Sequence, residues 1–368
     1  MDIIKFMEEK NYNFNEMVKE FEIIEQLKEV SQNPKYHEEG NVYIHTKLVC
    51  TEVLNLEEWK ELNEREKGIL YASALFHDIG KLVATREEDG EIISPKHAVK
   101  GAKIFRDLSY KEYKLNRDLR EEIAQLIRYH GLPLYFLDRD TIDYDIIKVA
   151  ENTNIKLLYL LAKCDLLGRA CEDKESILEK VKYFKLYSQE LKCFEGPKKF
   201  KNDYTKFLYL FENKIHYEAE IFDNREFEVV VMVGLPLAGK DTYIRNHFSK
   251  LKVISLDDIR EELKILPTKD FGKVGAVAFE RAKEFLRKRE GFVWNATNLR
   301  RETRQKIIRL CHSYGAKIKF VYLEVSYDEL ILRNKKRQRY VPIYVINNMI
   351  KNMDMLQGEE IICSKYSI

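Results

Sequence analysis

The pattern of apolar residues changes at Phe227, and this change restricts the possible fold more than any other feature of the chain. Phe227–Val233 is a nearly continuous apolar run rich in valine, and a glycine-containing loop follows it directly. Further short apolar runs occupy residues 252–256, 292–296 and 317–324, with helical stretches between them. Strands that alternate with helices predict a parallel sheet covered on both faces. We therefore expect an α/β domain over residues 227–368.

The residues before this point have helical periodicity instead. Apolar residues recur at three- and four-residue spacing in 57–75, 119–129 and 156–167, and β-branched alternation is scarce. This pattern predicts an all-α domain over residues 1–190. Residues 191–226 are rich in lysine and aromatic residues and contain the breaker Gly196-Pro197, which indicates a linker. A chain of 368 residues is long enough for two such domains.

Composition limits the functions that the chain can have. The formal net charge is +2, so attraction to phosphates must come from local clusters and not from a global field. The six cysteines include no CxxC pair, which argues against a zinc knuckle or a redox motif. The first residues lack the apolar core of a signal peptide, and no run is long enough to span a bilayer. We expect a cytoplasmic protein that is not bound to a membrane.

The predicted helical domain contains histidines and aspartates in a recognisable order. His77-Asp78 is the most informative pair, and the full set of candidate metal ligands is His45, His77, Asp78, His97, His130 and Asp165. Imidazoles and carboxylates suit Mn, Fe, Co, Ni or Zn. An adjacent His-Asp pair in a helix can serve two cations, which together activate water and hold phosphate oxygens. Lys81 lies one turn after Asp78 and would hold a phosphate oxygen.

Several of these residues also have an ordinary structural interpretation. His97 is also consistent with a loop residue that caps a helix, and His130 with a cation at a helix C-terminus. Asp165 is also consistent with a surface carboxylate. His37 has no place in the ordered set, and we expect it at the surface. The complete set is much less easily explained by chance than any single member, so it favours a metal site.

A second candidate site follows the Phe227–Val233 strand. A glycine loop between a strand and a helix is the context of a phosphate-binding loop, in which Gly234 and Gly239 let backbone N–H groups surround the phosphates. Lys240 would reach the β- and γ-phosphates. Asp241 stands where a serine or threonine normally binds magnesium, and Thr242 follows it. Asp241 is consistent with magnesium binding through its carboxylate, and equally with weaker binding of a triphosphate.

Two further groups of charged residues accompany this loop. Asp257 comes at the end of the second predicted strand, where it would accept a proton from an attacking hydroxyl, whereas Asp258 is expected to cap the next helix. Arg260 would hold the phosphate of an acceptor. Arg333 and Arg337 belong to a basic cluster at 333–339 and share a helical face, which fits either a lid over a nucleotide or a solvated surface.

The motifs of both regions resemble known families. Residues 37–170 resemble the HD superfamily of metal-dependent phosphohydrolases, in which His45, His77-Asp78 and Asp165 match the motif. His97 and His130 match the additional histidines of members that hold two metals. Residues 227–356 resemble the P-loop polynucleotide 5′-hydroxyl kinases, and this resemblance extends to 266–268 and 294–298. It implies that Lys240 binds the donor phosphates, Asp257 is the general base, Arg260 contacts the acceptor, and Arg333 and Arg337 form a lid.

Together the two regions resemble the HD-Pnk family of bifunctional nucleic-acid end-healing enzymes. The resemblance implies a 2′,3′-cyclic phosphodiesterase and 3′-phosphatase with two divalent transition metals. It also implies a 5′-hydroxyl kinase that uses magnesium with ATP or another nucleoside triphosphate. Single-stranded RNA or DNA ends are the expected partners, with functional coupling to a ligase. Two alternatives remain: both enzymes act on small nucleotides, or the chain is a nucleotide-responsive regulatory module with a silent P-loop.

Overall fold

The computed structural model describes residues 2–266, 270–337, 340–362 and 364–367. The chain divides into two compact units, residues 1–199 and 200–368. Pro267 and Thr268 of the kinase-like pattern, and Gln338 and Arg339 of the basic cluster, lie outside the described residues.

The first unit is helical, as the periodicity of its apolar residues predicts. Its α-helices are α1 (Ile3–Glu9), α2 (Phe14–Glu20), α3 (Glu22–Glu25), α4 (Val42–Asn55), α5 (Glu64–Phe76), α6 (Lys81–Ala84), α7 (His97–Lys111), α8 (Arg117–Tyr129), α9 (Leu132–Tyr135), α10 (Ile142–Ala150), α11 (Ile155–Leu167) and α12 (Lys174–Glu190). Short 3₁₀-helices occupy Gln26–Glu29, Glu57–Glu61 and Phe136–Asp138.

Asparagine side chains define where the main helices begin. Asn41, Asn116 and Asn154 each accept a backbone N–H in the first turn of α4, α8 and α11, respectively. Asn63 and Glu66 form a capping box at the start of α5. From Gly68 to Phe76, every residue of α5 is buried, and this helix packs against α4, α8 and α11. Helix α5 therefore forms the centre of the unit, and its C-terminal end is surrounded by other helices.

One hairpin interrupts the helical pattern and was not expected from the sequence. Strands β1 (Arg86–Glu88) and β2 (Glu91–Ile93) pair antiparallel through the turn at Asp89 and Gly90. Both turn residues have positive φ, at 52° and 80°. An Asp-Gly pair favours this type of turn, but strands of three residues are too short to give a period-two signal.

The second unit is an α/β domain with a parallel sheet, which confirms the predicted fold class. It consists of α13 (Asp203–Glu212), β3 (Phe227–Val233), α14 (Lys240–His247), β4 (Lys252–Ser255), α15 (Leu256–Glu262), α16 (Phe271–Arg287), β5 (Phe292–Asn295), α17 (Arg301–Ser313), β6 (Ala316–Leu323), α18 (Tyr327–Lys336), α19 (Ile343–Lys351), α20 (Glu359–Ile362) and β7 (Ser364–Ser367). The strand order is β4-β5-β3-β6-β7, and the described pairs are all parallel.

The position of β3 in the sheet determines where a ligand can bind. Strand β3 lies between β5 and β6, and its residues from Val229 to Val233 are buried. From β3 the chain continues to β4, which lies beyond β5 at one edge of the sheet, whereas β6 lies beside β3 on its other side. Such a change of direction creates a crevice at the carboxyl ends of the strands, where ligands of α/β proteins bind. The loop that follows β3 opens into this crevice.

Candidate metal centre and phosphate-binding loop

The fold places the six predicted metal ligands at the ends and inner faces of five helices. His77 is the C-cap of α5, and Asp78 follows it in the turn before α6, not within a helix as the sequence indicated. His97 begins α7 and His130 is the C-cap of α8. His45 and Asp165 lie on the buried faces of α4 and α11. The structure thus brings the six residues together, although Asp165 is 120 positions from His45 in the chain.

The turn after α5 approaches α7 closely enough to require glycine. A Cβ atom on Gly80 would lie 2.0 Å from the His97 carbonyl oxygen and 2.4 Å from the Gly101 nitrogen. Real Cβ atoms do not approach a backbone to that distance. Gly80 therefore allows Asp78 and His97, which flank this contact, to face each other.

One group of ligand atoms gathers on the Oδ2 side of Asp78. Asp78 Oδ2 lies 3.3 Å from His77 Nε2 and 3.9 Å from His45 Nε2. Asp165 Oδ1 lies 3.1 Å from His45 Nε2 and 3.9 Å from His77 Nε2. These four side chains converge on a single small volume.

A second group lies on the Oδ1 side of the same carboxylate. Asp78 Oδ1 is 3.4 Å from His97 Nε2, and the Nε2 atoms of His97 and His130 are 3.3 Å apart. Among the described residues, none donates a hydrogen bond to Asp78 Oδ1, although this atom is fully buried. A buried carboxylate oxygen with no hydrogen bond fits a cation ligand, so Asp78 stands between two potential cation positions.

The histidine tautomers also suit metal binding. The Nδ1–H groups of His77, His97 and His130 donate to the carbonyls of Ala74, Ser94 and Ile127 at 2.8, 2.9 and 2.8 Å, respectively. In the neutral ring, each of these hydrogen bonds leaves Nε2 unprotonated and directed at the centre of the site. His130 thus donates to a carbonyl in the last turn of α8 as a neutral imidazole, not as the cation of its structural interpretation, and it also faces the candidate metal centre.

The pKa shifts favour ionised carboxylates and neutral imidazoles at His97 and His130. Burial acts to lower the pKa of His77, but the charges of Asp78 and Asp165 raise it. Burial lowers the pKa of His130 to about 3 and also lowers that of His97. Burial acts to raise the pKa of Asp78, but the charges of Lys81 and His77 hold it well below its usual range. Burial has the same effect on Asp165, and Arg169 outweighs it. Both carboxylates are therefore charged at neutral pH, as divalent cations require.

Two cationic side chains contact the carboxylates of this centre. Lys81 Nζ lies 2.8 Å from Asp78 Oδ2 and donates to Gln32 Oε1 at 2.6 Å. Arg169 donates to both oxygens of Asp165, at 3.1 and 2.6 Å. The sequence predicted a role for Lys81 but not for Arg169. The available signal was the four-residue spacing between Asp165 and Arg169, which places them on one helical face.

The expected surface position of His37 is wrong. Its side chain is only 10% exposed, and its Nδ1 lies 2.7 Å from Glu39 Oε1. The same Glu39 oxygen lies 2.9 Å from Nδ1 of His45, the ring nitrogen that points away from the metal centre. Burial acts to raise the pKa of Glu39, but its contacts with His37 and His45 lower it. Glu39 thus contacts the ring of His45, and the spacing of the sequence gave no indication of this contact.

In the second unit, the loop between β3 and α14 has the backbone of a phosphate cradle. Gly234 and Gly239 have φ of +152° and +97°, and a Cβ on Gly234 would lie 2.4 Å from the Leu323 carbonyl oxygen. Lys240 Nζ donates to the carbonyls of Gly234 and Leu235, at 3.0 and 2.8 Å. The ammonium group of Lys240 therefore lies across the loop, where phosphate oxygens would replace its carbonyl partners.

The charges around Lys240 come from the residues that the sequence singled out. Burial lowers the pKa of Lys240 to about 8; the charges of Asp241 and Asp257 oppose this shift, and that of Arg337 adds to it. Arg333 Nη1 donates to the Leu237 carbonyl of the loop at 3.1 Å, and its Nε donates to Glu329 at 2.6 Å. Lys240 and Arg333 thus contact the loop, and Asp257 and Arg337 are near enough for their charges to act on Lys240.

Other predicted residues have more ordinary surroundings. Arg260 donates to the Leu266 carbonyl at 3.3 Å, and the Thr242 hydroxyl accepts from Arg245 at 3.1 Å. The cap of α15 is Ser255, whose hydroxyl accepts the N–H of Asp258, so the expected capping role of Asp258 is wrong. A serine one position before the predicted strand end was the missed signal. Asp257 is exposed in the first turn of α15.

The side chain of Asp241 has a partner on the adjacent strand. Asn295, the last residue of β5, donates its Nδ2–H to Asp241 Oδ1 at 2.8 Å. Strand β5 pairs with β3 in parallel, with Val231 opposite Trp294. The end of β5 therefore lies beside the loop that follows β3, and Asn295 is a residue of this site that the sequence had indicated only as part of the kinase-like pattern.

Comparison with known proteins supports both halves of this description. Residues 41–153 match the family model of the HD domain, and residues 229–356 match that of an AAA domain (AAA_33). The chain therefore combines an HD phosphohydrolase-type domain with a P-loop kinase-like domain. A solved structure of a gluconokinase from Sinorhizobium meliloti 1021 is similar at 19% identity and a TM-score of 0.30, over 39% of this chain and 83% of that one. Within the part of the chain that the structure describes, no helix is both long and apolar enough to cross a bilayer.

Proposed function

We propose that this protein heals broken nucleic-acid ends. Its helical domain would open a 2′,3′-cyclic phosphate and remove the resulting 3′-phosphate, and its P-loop domain would phosphorylate a 5′-hydroxyl. The observation that carries the proposal is the presence, in one chain, of a buried His/Asp centre and a lysine-containing phosphate loop. The two chemistries are complementary, because ligation requires a 3′-hydroxyl and a 5′-phosphate. Single-stranded RNA or DNA ends are the proposed substrates, and a ligase would use the products.

In the helical domain, the ligand geometry supports the hydrolytic half. His45, His77, Asp165 and Asp78 Oδ2 would hold one divalent cation; Asp78 Oδ1, His97 and His130 would hold another. Such cations supply Lewis acidity and activate water for attack on phosphorus. Lys81 and Arg169 lie against the ligand carboxylates, where their positive charges would attract the phosphate of the substrate.

In the P-loop domain, the loop geometry supports the kinase half. Lys240 and the backbone around Gly239 would hold the donor phosphates of ATP or another triphosphate, with magnesium offsetting their charge. Asp257 is exposed in the first turn of α15, directly after β4, where its carboxylate would accept the proton of the attacking 5′-hydroxyl. Arg260 would contact the acceptor strand, and Arg333 and Arg337 would close over the donor.

An oligonucleotide assay separates this proposal from action on small nucleotides. We would incubate the full chain with ATP, magnesium and manganese, and with 3′-phosphorylated RNA and DNA oligonucleotides that have 5′-hydroxyls. Parallel reactions would contain 3′-mononucleotides and nucleosides at the same concentration. The proposal expects both oligonucleotide ends to change much faster than the mononucleotides. Faster turnover of the small molecules would contradict it, and nucleotide binding without any turnover would favour a regulatory module.

A further inference from the structure

Two residues near the loop lysine differ from those of the usual magnesium site. The residue after the lysine has a carboxylate where none is usual, and a residue on the adjacent strand lacks one. In P-loop enzymes, Mg²⁺ is held by a serine or threonine that follows the loop lysine and by an aspartate on a nearby strand. Here the residue that follows Lys240 is Asp241, and the strand adjacent to β3 ends in Asn295. One position has gained a carboxylate, and the other carries a neutral oxygen ligand where a carboxylate is usual.

We propose that Asp241 and Asn295 form the magnesium site with the usual residue types exchanged between the loop and the strand. Asp241 supplies the carboxylate from the loop, and Asn295 supplies a neutral amide oxygen from β5. The inference rests on the P-loop domain binding a magnesium nucleotide, but not on the identity of the phosphate acceptor. The exchange keeps a single negative charge at the pair, which is the charge of the usual serine and aspartate.

The contact between the two side chains is the geometric basis of this proposal. Asn295 Nδ2 donates to Asp241 Oδ1 at 2.8 Å across 54 positions of sequence. This hydrogen bond fixes the orientation of the amide and leaves Asn295 Oδ1 and Asp241 Oδ2 as the remaining oxygens of the pair. Carboxylate and amide oxygens are both ligands that suit Mg²⁺, directly or through its waters. Asp241 is exposed and Asn295 is partly buried, so both can reach a bound ion.

The alternative role for Asp241, a helix cap, does not fit the structure. The cap of α14 is Gly239, and no side chain accepts a hydrogen bond there. The charge of Asp241 acts on Lys240, the residue that would hold the phosphates. Without magnesium, this carboxylate repels a triphosphate; with magnesium between them, the same carboxylate attracts it. The arrangement therefore makes nucleotide affinity depend on magnesium more strongly than a loop hydroxyl would.

Restoring the usual residue types at positions 241 and 295 gives a direct test. We would measure the dissociation constant for a non-hydrolysable ATP analogue by calorimetry, with magnesium and with EDTA. The full-length variants would be wild type, Asp241→Ser, Asn295→Asp and the double variant. The bound metal would be followed by the paramagnetic resonance spectrum of Mn²⁺. Asp258→Ser, an exposed aspartate in the first turn of α15, is the matched control.

The proposal predicts a specific order among the variants. Asp241→Ser should weaken binding of the magnesium complex by at least about tenfold and should improve binding in EDTA, because removal of a metal ligand or its partner usually costs that much affinity. The double variant should return magnesium-dependent binding to near the wild-type value and change the Mn²⁺ spectrum. Equal magnesium dependence in wild type and Asp241→Ser, or a double variant no better than Asp241→Ser, would overturn it. Because the experiment measures nucleotide binding, its result tests this proposal even if the protein has no polynucleotide kinase activity.

Discussion

At the scale of single residues, the two candidate sites bury charges of opposite sign. The metal centre buries carboxylates beside Lys81 and Arg169, and the resulting low pKa values keep Asp78 and Asp165 ionised. The phosphate loop instead buries the cation Lys240, whose pKa falls to about 8 because burial disfavours its charge. Each site thus contains a desolvated charge that its expected ligand would neutralise.

The lowered pKa of Lys240 predicts proton uptake on nucleotide binding. Without ligand, Lys240 loses its proton as the pH rises through about 8. A bound triphosphate favours the charged ammonium and raises this pKa, so binding takes up a proton above that pH and affinity falls there. Calorimetry near pH 8.5, in two buffers of different ionisation enthalpy, should show uptake of a large fraction of one proton, because the ligand raises the pKa of Lys240 from about 8 toward the ordinary lysine value of about 10.4.

The matched variant for this measurement is Lys240→Arg, which keeps a charge that does not titrate in this range. Its binding heat should be the same in both buffers, because this side chain takes up no proton from the buffer. Equal heats for the wild-type protein would contradict a titrating Lys240.

The contact of Glu39 with His45 predicts a role in metal affinity. Glu39 Oε1 lies 2.9 Å from His45 Nδ1, the ring nitrogen that does not face Asp165. Glu39→Gln should lower metal affinity by about 10- to 100-fold, since the carboxylate that orients a metal-binding histidine usually contributes that much. Metal content after dialysis against graded chelator would measure this effect. Glu38→Gln, at an exposed adjacent residue, should bind metal as the wild type does. Equal metal retention in Glu39→Gln would show that His45 needs no such support.

At the scale of helices and strands, the sites depend on where elements begin and end. His77, His97 and His130 stand at the termini of α5, α7 and α8, and the loop lysine begins α14. Helix termini leave unpaired backbone groups, and here the Nδ1–H groups of His77 and His130 satisfy carbonyls in the last turns of α5 and α8. The hydrogen bonds at the ends of α5 and α8 therefore also orient two candidate metal ligands, whereas His97 is oriented by the Ser94 carbonyl before α7.

The close approach of α6 and α7 predicts that Gly80 is essential to this arrangement. In Gly80→Ala, the added Cβ would press on the backbone of His97 and Gly101, so α7 must move and carry His97 away from Asp78. Strain of this kind typically costs about 1–3 kcal/mol of stability. The midpoint temperature of thermal unfolding and the metal content should both fall. In Gly196→Ala, a Cβ would meet no atom within 4 Å, and this variant should behave as the wild type. Normal metal content in Gly80→Ala would contradict the packing argument.

The sequence predicted these elements where a local pattern was strong. The run Phe227–Val233 matches β3, because a buried parallel strand is apolar throughout. The β1–β2 hairpin is too short to show periodicity, and the cap of α15 lies two residues before the pair of aspartates at 257 and 258. The place of His37 and Glu39 beside His45 depends on how the segment before α4 folds back, which no spacing rule describes.

At the scale of the whole molecule, each of the two units contains one candidate site for binding phosphate groups. The helical unit contains a His/Asp centre of the HD type, and the α/β unit contains a phosphate loop at the carboxyl ends of its strands. Each unit has its own buried core and its own candidate site. Damage to one site should therefore leave the chemistry of the other intact.

The measurement that tests the account most directly uses one short RNA with a 5′-hydroxyl and a 2′,3′-cyclic phosphate, supplied with ATP, magnesium and manganese. Wild type would be compared with the His77→Ala/Asp78→Ala variant and with Lys240→Ala, and both RNA ends would be followed by gel and mass spectrometry. We predict that wild type converts both ends, that the first variant loses only 3′-end hydrolysis, and that the second loses only 5′ phosphorylation. A wild-type protein that changes neither end, or variants that each lose both reactions while remaining folded, would contradict end healing by two separate sites.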